Sequence, residues 1–91
     1  MAIVVEIPHA ISRYSDEETQ VLLAGSTVGE VLAALWERFP KLKTRVLNRE
    51  GNLHAYLLLF RNDEKLPRVN INEHPLSAGD RLEIVALAEG G

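Results

Sequence analysis

A chain of 91 residues with 46% hydrophobic and 25% charged side chains has the profile of one ordinary soluble domain. The net charge of −3, with ten Lys and Arg residues scattered among 13 Asp and Glu, excludes an obvious basic patch and makes nucleic acid an unexpected partner. With no cysteine there are no disulfides, thiolate metal sites or cysteine nucleophiles, and no apolar run approaches the ~20 residues of a membrane span.

The opening MAIVVEIPHA has neither the basic start nor the long apolar stretch of a signal peptide, so a cytoplasmic protein is expected. AIVVEIP reads as a first strand, in which Ile3, Val5 and Ile7 alternate with Val4 and Glu6 and Pro8 closes the run. HAISRYSDEET is polar and reads as a loop, with Asp16, Glu17 and Glu18 solvated. QVLLAG gives a second strand, stopped by Gly25 and close enough in sequence to pair with the first as an antiparallel hairpin.

STVGEVLAALWERFP predicts the main helix. Thr27 and Glu30 form a capping-box pattern with Thr27 as N-cap, and Val28, Val31, Leu32, Leu35 and Phe39 make one apolar stripe. Glu30, Ala33, Ala34 and Glu37 face away, Trp36 sits at the edge of the stripe, and Pro40 stops the helix. Gly29 costs up to about 1 kcal/mol relative to alanine, and nothing in the sequence explains it.

KLKTRVL reads as a short further turn of helix and NREGN as a turn. HAYLLLF is the strongest strand signal, followed by a polar turn at RNDEK. RVNIN is expected to be a short strand, EHPLSAGD a connector and RLEIVAL the last strand. The order is β-β-α-β-β-β, an α+β domain over residues 1–87 with a flexible tail at 88–91.

One apolar helix stripe covers one sheet face. Hairpin, crossover helix and later strands together match the ubiquitin-like β-grasp, a mixed sheet of four to five strands packed on one main helix. In that fold the first and last strands lie parallel at the sheet centre, and both candidates here are aliphatic-rich, as buried parallel strands are.

The segment NEHPLSAGDRLEIVALAEGG then becomes specific. A polar turn, HPLSAGD, a closing apolar strand and a final Gly-Gly resemble the C-terminal region of the sulfur-carrier family that includes the small subunit of molybdopterin synthase and the thiamin sulfur carrier, the MoaD/ThiS type. The resemblance covers the whole chain in element order and is tight over the last quarter. It implies that an ATP-dependent activating enzyme, related to ubiquitin-activating enzymes, adenylates the carboxylate of Gly91. Sulfur then displaces AMP to leave a thiocarboxylate, and a sulfur-acceptor synthase subunit takes the sulfur. Ala88, Glu89 and Gly90 would thread the partner's active site, where glycine lets backbones pass closely. The carrier itself would bind no cofactor, ATP being used by the activating partner.

Other groups offer little chemistry. His9, His54 and His74 are far apart in sequence with no carboxylate at metal spacing, which argues against zinc. No nucleophile and base pair or glycine-rich phosphate loop appears, so the chain is expected to act as a protein cosubstrate without a catalytic site of its own.

Along YLLLF, Tyr56, Leu58 and Phe60 point one way and Leu57 and Leu59 the other. Leu82 and Ile84 are expected in the core, with Val85 and Leu87 outward. Phe60, Leu58, Val85 and Leu87 thus form a candidate docking patch, unless the second helical segment or a loop covers them.

Molybdopterin synthesis is the expected destination of the sulfur, with cysteine and thiamin biosynthesis and tRNA thiolation also served by such carriers. The alternatives are a ubiquitin-like modifier joined through Gly91 to lysines and a β-grasp interaction module whose Gly-Gly is incidental.

Overall fold

The computed structural model describes residues 2–87. Five strands form one sheet: β1 (Ala2–Glu6), β2 (Gln20–Ala24), β3 (Leu57–Arg61), β4 (Glu64–Lys65) and β5 (Arg81–Ala86). Their order is β2-β1-β5-β3-β4, with β1 and β5 parallel at the centre and the other pairs antiparallel. The architecture is α+β, as expected.

The main helix, α1 (Val28–Arg38), buries Val28, Val31, Leu32 and Leu35. These pack with Phe39 against Ile3, Val5, Val21, Leu57, Leu59, Leu82 and Ile84. Thr27 caps the helix by accepting from the Glu30 amide at 3.1 Å. The Glu30 carboxylate reaches one residue further back than a capping box requires, accepting from the Ser26 amide at 2.8 Å and the Ser26 hydroxyl at 2.9 Å. Those bonds hold its pKa below the usual carboxylate value.

Pro40 both ends α1 and opens α2 (Pro40–Val46), since a missing N–H is harmless at a helix start. Leu42 and Val46 of α2 join the core on the α1 side, so α2 leaves the opposite sheet face bare. No helix among the described residues is long and apolar enough to cross a membrane.

Gly29 is explained by a close approach. A Cβ there would stand 3.0 Å from the Asn72 Cβ and 3.0 Å from the Asn72 carbonyl oxygen. Backbone cannot swing aside as a side chain can, so glycine lets the chain near Asn72 lie against the first turn of α1.

Three sequence expectations are corrected. Residues 9–15 of the supposed loop form a 3-10 helix, His9–Ser15. Buried Ser12 donates to the His9 carbonyl and buried Ser15 to those of Ser12 and Glu18, so hydroxyls close the turns from within. RVNIN is not a strand: Val69 is 77% exposed and Ile71–Glu73 is a 3-10 turn entered through Asn70 at φ 53°. The short strand lies instead in the RNDEK stretch, where Asn62 and Asp63, at φ 49° and 74°, make a two-residue hairpin turn between β3 and β4. Within HAYLLLF, only Leu57 onward is strand.

The SAGD turn sets where β5 begins. Gly79 takes φ 87°, and its amide donates to the Ala2 carbonyl at 2.9 Å. Buried Asp80 accepts from the Ser77 amide at 2.7 Å, Asn62 Nδ2 at 2.8 Å and Arg61 Nε at 2.8 Å. Its carbonyl accepts from the Val4 amide at 2.9 Å. One carboxylate therefore ties the start of β5 to the β3–β4 hairpin, while its own backbone ties it to β1.

The Ser77 amide is the largest cause holding the Asp80 pKa below its ordinary value, followed by Asn62; burial opposes them and Arg61 adds to them. A depressed carboxyl stabilises the fold fully above its unfolded value of about 3.9, and the contribution is lost as pH falls through the lower folded value. Asp80→Ala should therefore cost about 1–3 kcal/mol in urea unfolding at neutral pH. The deficit should shrink in acid. A deficit independent of pH would contradict the assignment to the charge.

Candidate functional site

The sheet face turned away from α1 carries Val4 and Glu6 of β1, Leu22 of β2, Leu58 and Phe60 of β3, and Arg81, Glu83 and Val85 of β5. Period-two alternation puts them there, since Ile3, Val5, Leu57, Leu59, Leu82 and Ile84 take the core side. Register makes Leu58 the direct neighbour of Val85, and Phe60 that of Glu83 and Lys65.

Chemistry is divided along this face. Where β5 begins it is charged: Arg81 lies 3.7 Å from Glu6 and is ion-paired with Asp63. Toward the end of β5 it is apolar, through Phe60, Leu58 and Val85, then Tyr56 and Leu87. The last two are 46% and 43% exposed.

The end of β5 is anchored twice. Ala86 pairs with Leu57, and the Leu87 amide donates to the Tyr56 carbonyl at 2.8 Å. Leu87, the last described residue, thus lies beside Tyr56 on the rim of the apolar half. Ala88, Glu89, Gly90 and Gly91, the expected threading and reactive residues, lie outside the described residues.

The four docking candidates, Leu58, Phe60, Val85 and Leu87, lie near one another at the end of β5. Leu58, Phe60 and Val85 are half-buried, Leu87 is exposed, and α2 does not cover them. The sequence reading missed the aromatic wall beside them. His54 stacks on Tyr56 with ring centroids 5.0 Å apart and planes 11° apart, and His54 Nε2 lies 3.1 Å from the Thr44 carbonyl oxygen. The 54–57 turn, closed by the Leu57 amide donating to the His54 carbonyl at 3.0 Å, brings the two rings together, which alternation along the sequence does not reveal. Among the described residues no cluster of three or more His, Cys, Asp or Glu could hold a metal. Trp36 packs at the core edge, as its place beside the helical stripe predicts.

The face offers an apolar contact area that reaches Leu87, the last described residue.

The ThiS family model matches residues 4–91. A search of the curated proteins returned no match. Among solved structures, a chain of the Amycolatopsis orientalis BexX/CysO complex is similar at 30% identity and TM-score 0.87, over 99% of this chain and 100% of that one. SAMP1 from Haloferax volcanii superposes with TM-score 0.84 at 23% identity over 100% of both chains. A chain of the Helicobacter pylori complex of molybdopterin-converting factor subunits 1 and 2 does so with TM-score 0.65 at 21% identity, again over 100% of both. The last two likenesses concern the fold, which is the ubiquitin-like β-grasp.

The two sheet faces should respond oppositely to truncation. Leu87→Ser should change unfolding free energy by no more than about 0.5 kcal/mol. Leu57→Ala, on the buried face one strand away, should cost about 2–5 kcal/mol. Equal losses in chemical denaturation would mean that the outer face is covered.

Proposed function

The chain belongs to the ThiS family, and from that premise we propose that it is a sulfur carrier whose C-terminal carboxylate, on Gly91, is the working group. The observation that carries this reading is that the family match runs through Gly90 and Gly91.

A carboxylate resists nucleophiles. Attack by one carboxylate oxygen on the α-phosphate of ATP, in a partner enzyme, forms an acyl adenylate and releases pyrophosphate. A sulfide-equivalent nucleophile then adds to the carbonyl. The carbon–sulfur bond forms, the carbon–oxygen bond to AMP breaks, and a thiocarboxylate remains. This chain supplies the acyl group and its delivery; the activating enzyme supplies ATP and catalysis.

The fold suits delivery. β5 lies at the sheet centre, paired with β1 over Arg81–Glu83 and with β3 as far as Ala86, so its end is fixed within the domain. Gly90 and Gly91 carry no Cβ, which lets a partner's backbone close around the segment. Leu58, Phe60, Val85 and Leu87 would seat against the activating enzyme and, in turn, the sulfur-acceptor subunit. Their apolar surface beside the exit allows one patch to serve both partners. The complexes among the similar structures support a protein partner of this kind.

Deleting Gly90 and Gly91, or appending one alanine after Gly91, should abolish pyrophosphate release with a cognate activating enzyme. Neither change should shift stability by more than about 0.5 kcal/mol, the usual range for changes outside a core. A truncated chain that is still adenylated would overturn the proposal. Recovery of Gly91 joined to lysine side chains would instead assign the protein to the modifier class.

A further inference from the structure

The two edges of the sheet are treated differently. At one edge β4 is only two residues long, Glu64 and Lys65, both charged. Short charged strands are a usual protection against edge pairing. At the other edge β2 reads QVLLA, five residues with no charge and no proline. None of its described backbone groups is bonded outside the hairpin with β1.

The register shows which groups are free. The Ile7 amide donates to the Thr19 carbonyl at 2.9 Å, so residues 19 and 7 are a hydrogen-bonded pair. The alternation of an antiparallel ladder then makes Val21 with Val5, and Leu23 with Ile3, the next such pairs. Gln20, Leu22 and Ala24 accordingly turn their N–H and C=O groups away from the sheet. Leu22 also carries its side chain on the open face, 64% exposed.

We propose that this edge pairs with the same edge of a second copy of the chain, antiparallel and centred on Leu22. In that register Leu22 faces Leu22 of the second copy, and Gln20 and Ala24 face one another reciprocally. The three pairs use every outward group of the strand and form about six hydrogen bonds. The two Leu22 side chains come side by side on one continuous open face, while Val21 and Leu23 of both copies stay on the core side.

Charge selects the direction. Asp16, Glu17 and Glu18 precede the strand and are exposed. Parallel pairing would set the two acidic segments against each other, whereas antiparallel pairing sends them to opposite ends, roughly 30 Å apart at ~3.3 Å per residue. The near-symmetry of QVLLA about Leu22 suits a two-fold partner.

Five residues span only about 17 Å, less than the roughly 800 Å² per partner of a standard interface requires. The dimer is therefore weak and concentration-dependent. Because β5 runs antiparallel to β2, the two β5 ends point in opposite directions, and each stays accessible. The pairing is independent of the sulfur-carrier reading and needs no activating enzyme.

Sedimentation equilibrium from about 10 μM to about 1 mM should show average mass rising from one chain toward two. Leu22→Lys, at an exposed position, should keep the melting temperature and weaken association at least tenfold. Over the same range amide NMR signals of Gln20, Leu22 and Ala24 should shift, with those of Val21 and Leu23 moving less. The chain lacking Gly90 and Gly91 should behave like the parent. A chain that stays monomeric at 1 mM, a Leu22→Lys variant that associates equally well, or shifts centred on Leu58, Phe60 and Val85 would each overturn the proposal.

Discussion

The placement of β5 is the constraint on which the rest of the molecule depends. A last strand that enters between β1 and β3 must be bonded along both sides, and its start must be fixed before either ladder can be in register. Asp80 does this through its contacts with Ser77, Asn62 and Arg61, while its carbonyl accepts from Val4. A one-residue slip would turn Leu82 and Ile84 to the open face and Glu83 into the core. The same registration fixes Leu87 against Tyr56.

A second consequence comes from counting layers. α1 and α2 both pack on one side of the sheet, with Leu42 and Val46 completing a core that the α1 stripe begins. Nothing among the described residues is left to cover the other side. That side is not uniform: charges hold together the end where β5 starts, and apolar side chains collect where it finishes. The proposed function, in which more than one enzyme grips the protein near its terminus, is served by this division, because the apolar half of the face includes Leu87, the last described residue. The unprotected β2 edge lies across the sheet from β3 and β4, so a second copy there leaves the apolar half free.

Much of this was legible in the sequence because it rests on periodicity and local chemistry. The apolar stripe and Thr27 gave α1; alternation gave both faces of β3 and β5; the HPLSAGD turn and Gly-Gly gave the family. What escaped depends on partners distant in sequence or on local geometry that composition disguises. Gly29 is understood only when Asn72 is seen beside it. The 3-10 helix at His9–Ser15 hid behind polar letters because buried serines bond to backbone carbonyls. RVNIN alternated like a strand, yet Arg68 donates to the carbonyls of Leu53, His54, Ala55 and Leu57, and Asn70 adopts a left-handed conformation that starts a turn. The β3–β4 hairpin could have been read from Asn62-Asp63, a pair that tolerates positive φ.

On the proposed function, this domain exists to present one carboxylate for conversion to a thiocarboxylate. Intact-protein mass spectrometry tests it most directly, after incubation with a cognate activating enzyme, ATP and a sulfide source. A single exchange of oxygen for sulfur is expected, located by fragmentation at Gly91 and removed on transfer to an acceptor. An unchanged mass in the presence of an enzyme that demonstrably binds the chain, or sulfur found on any other residue, would contradict it.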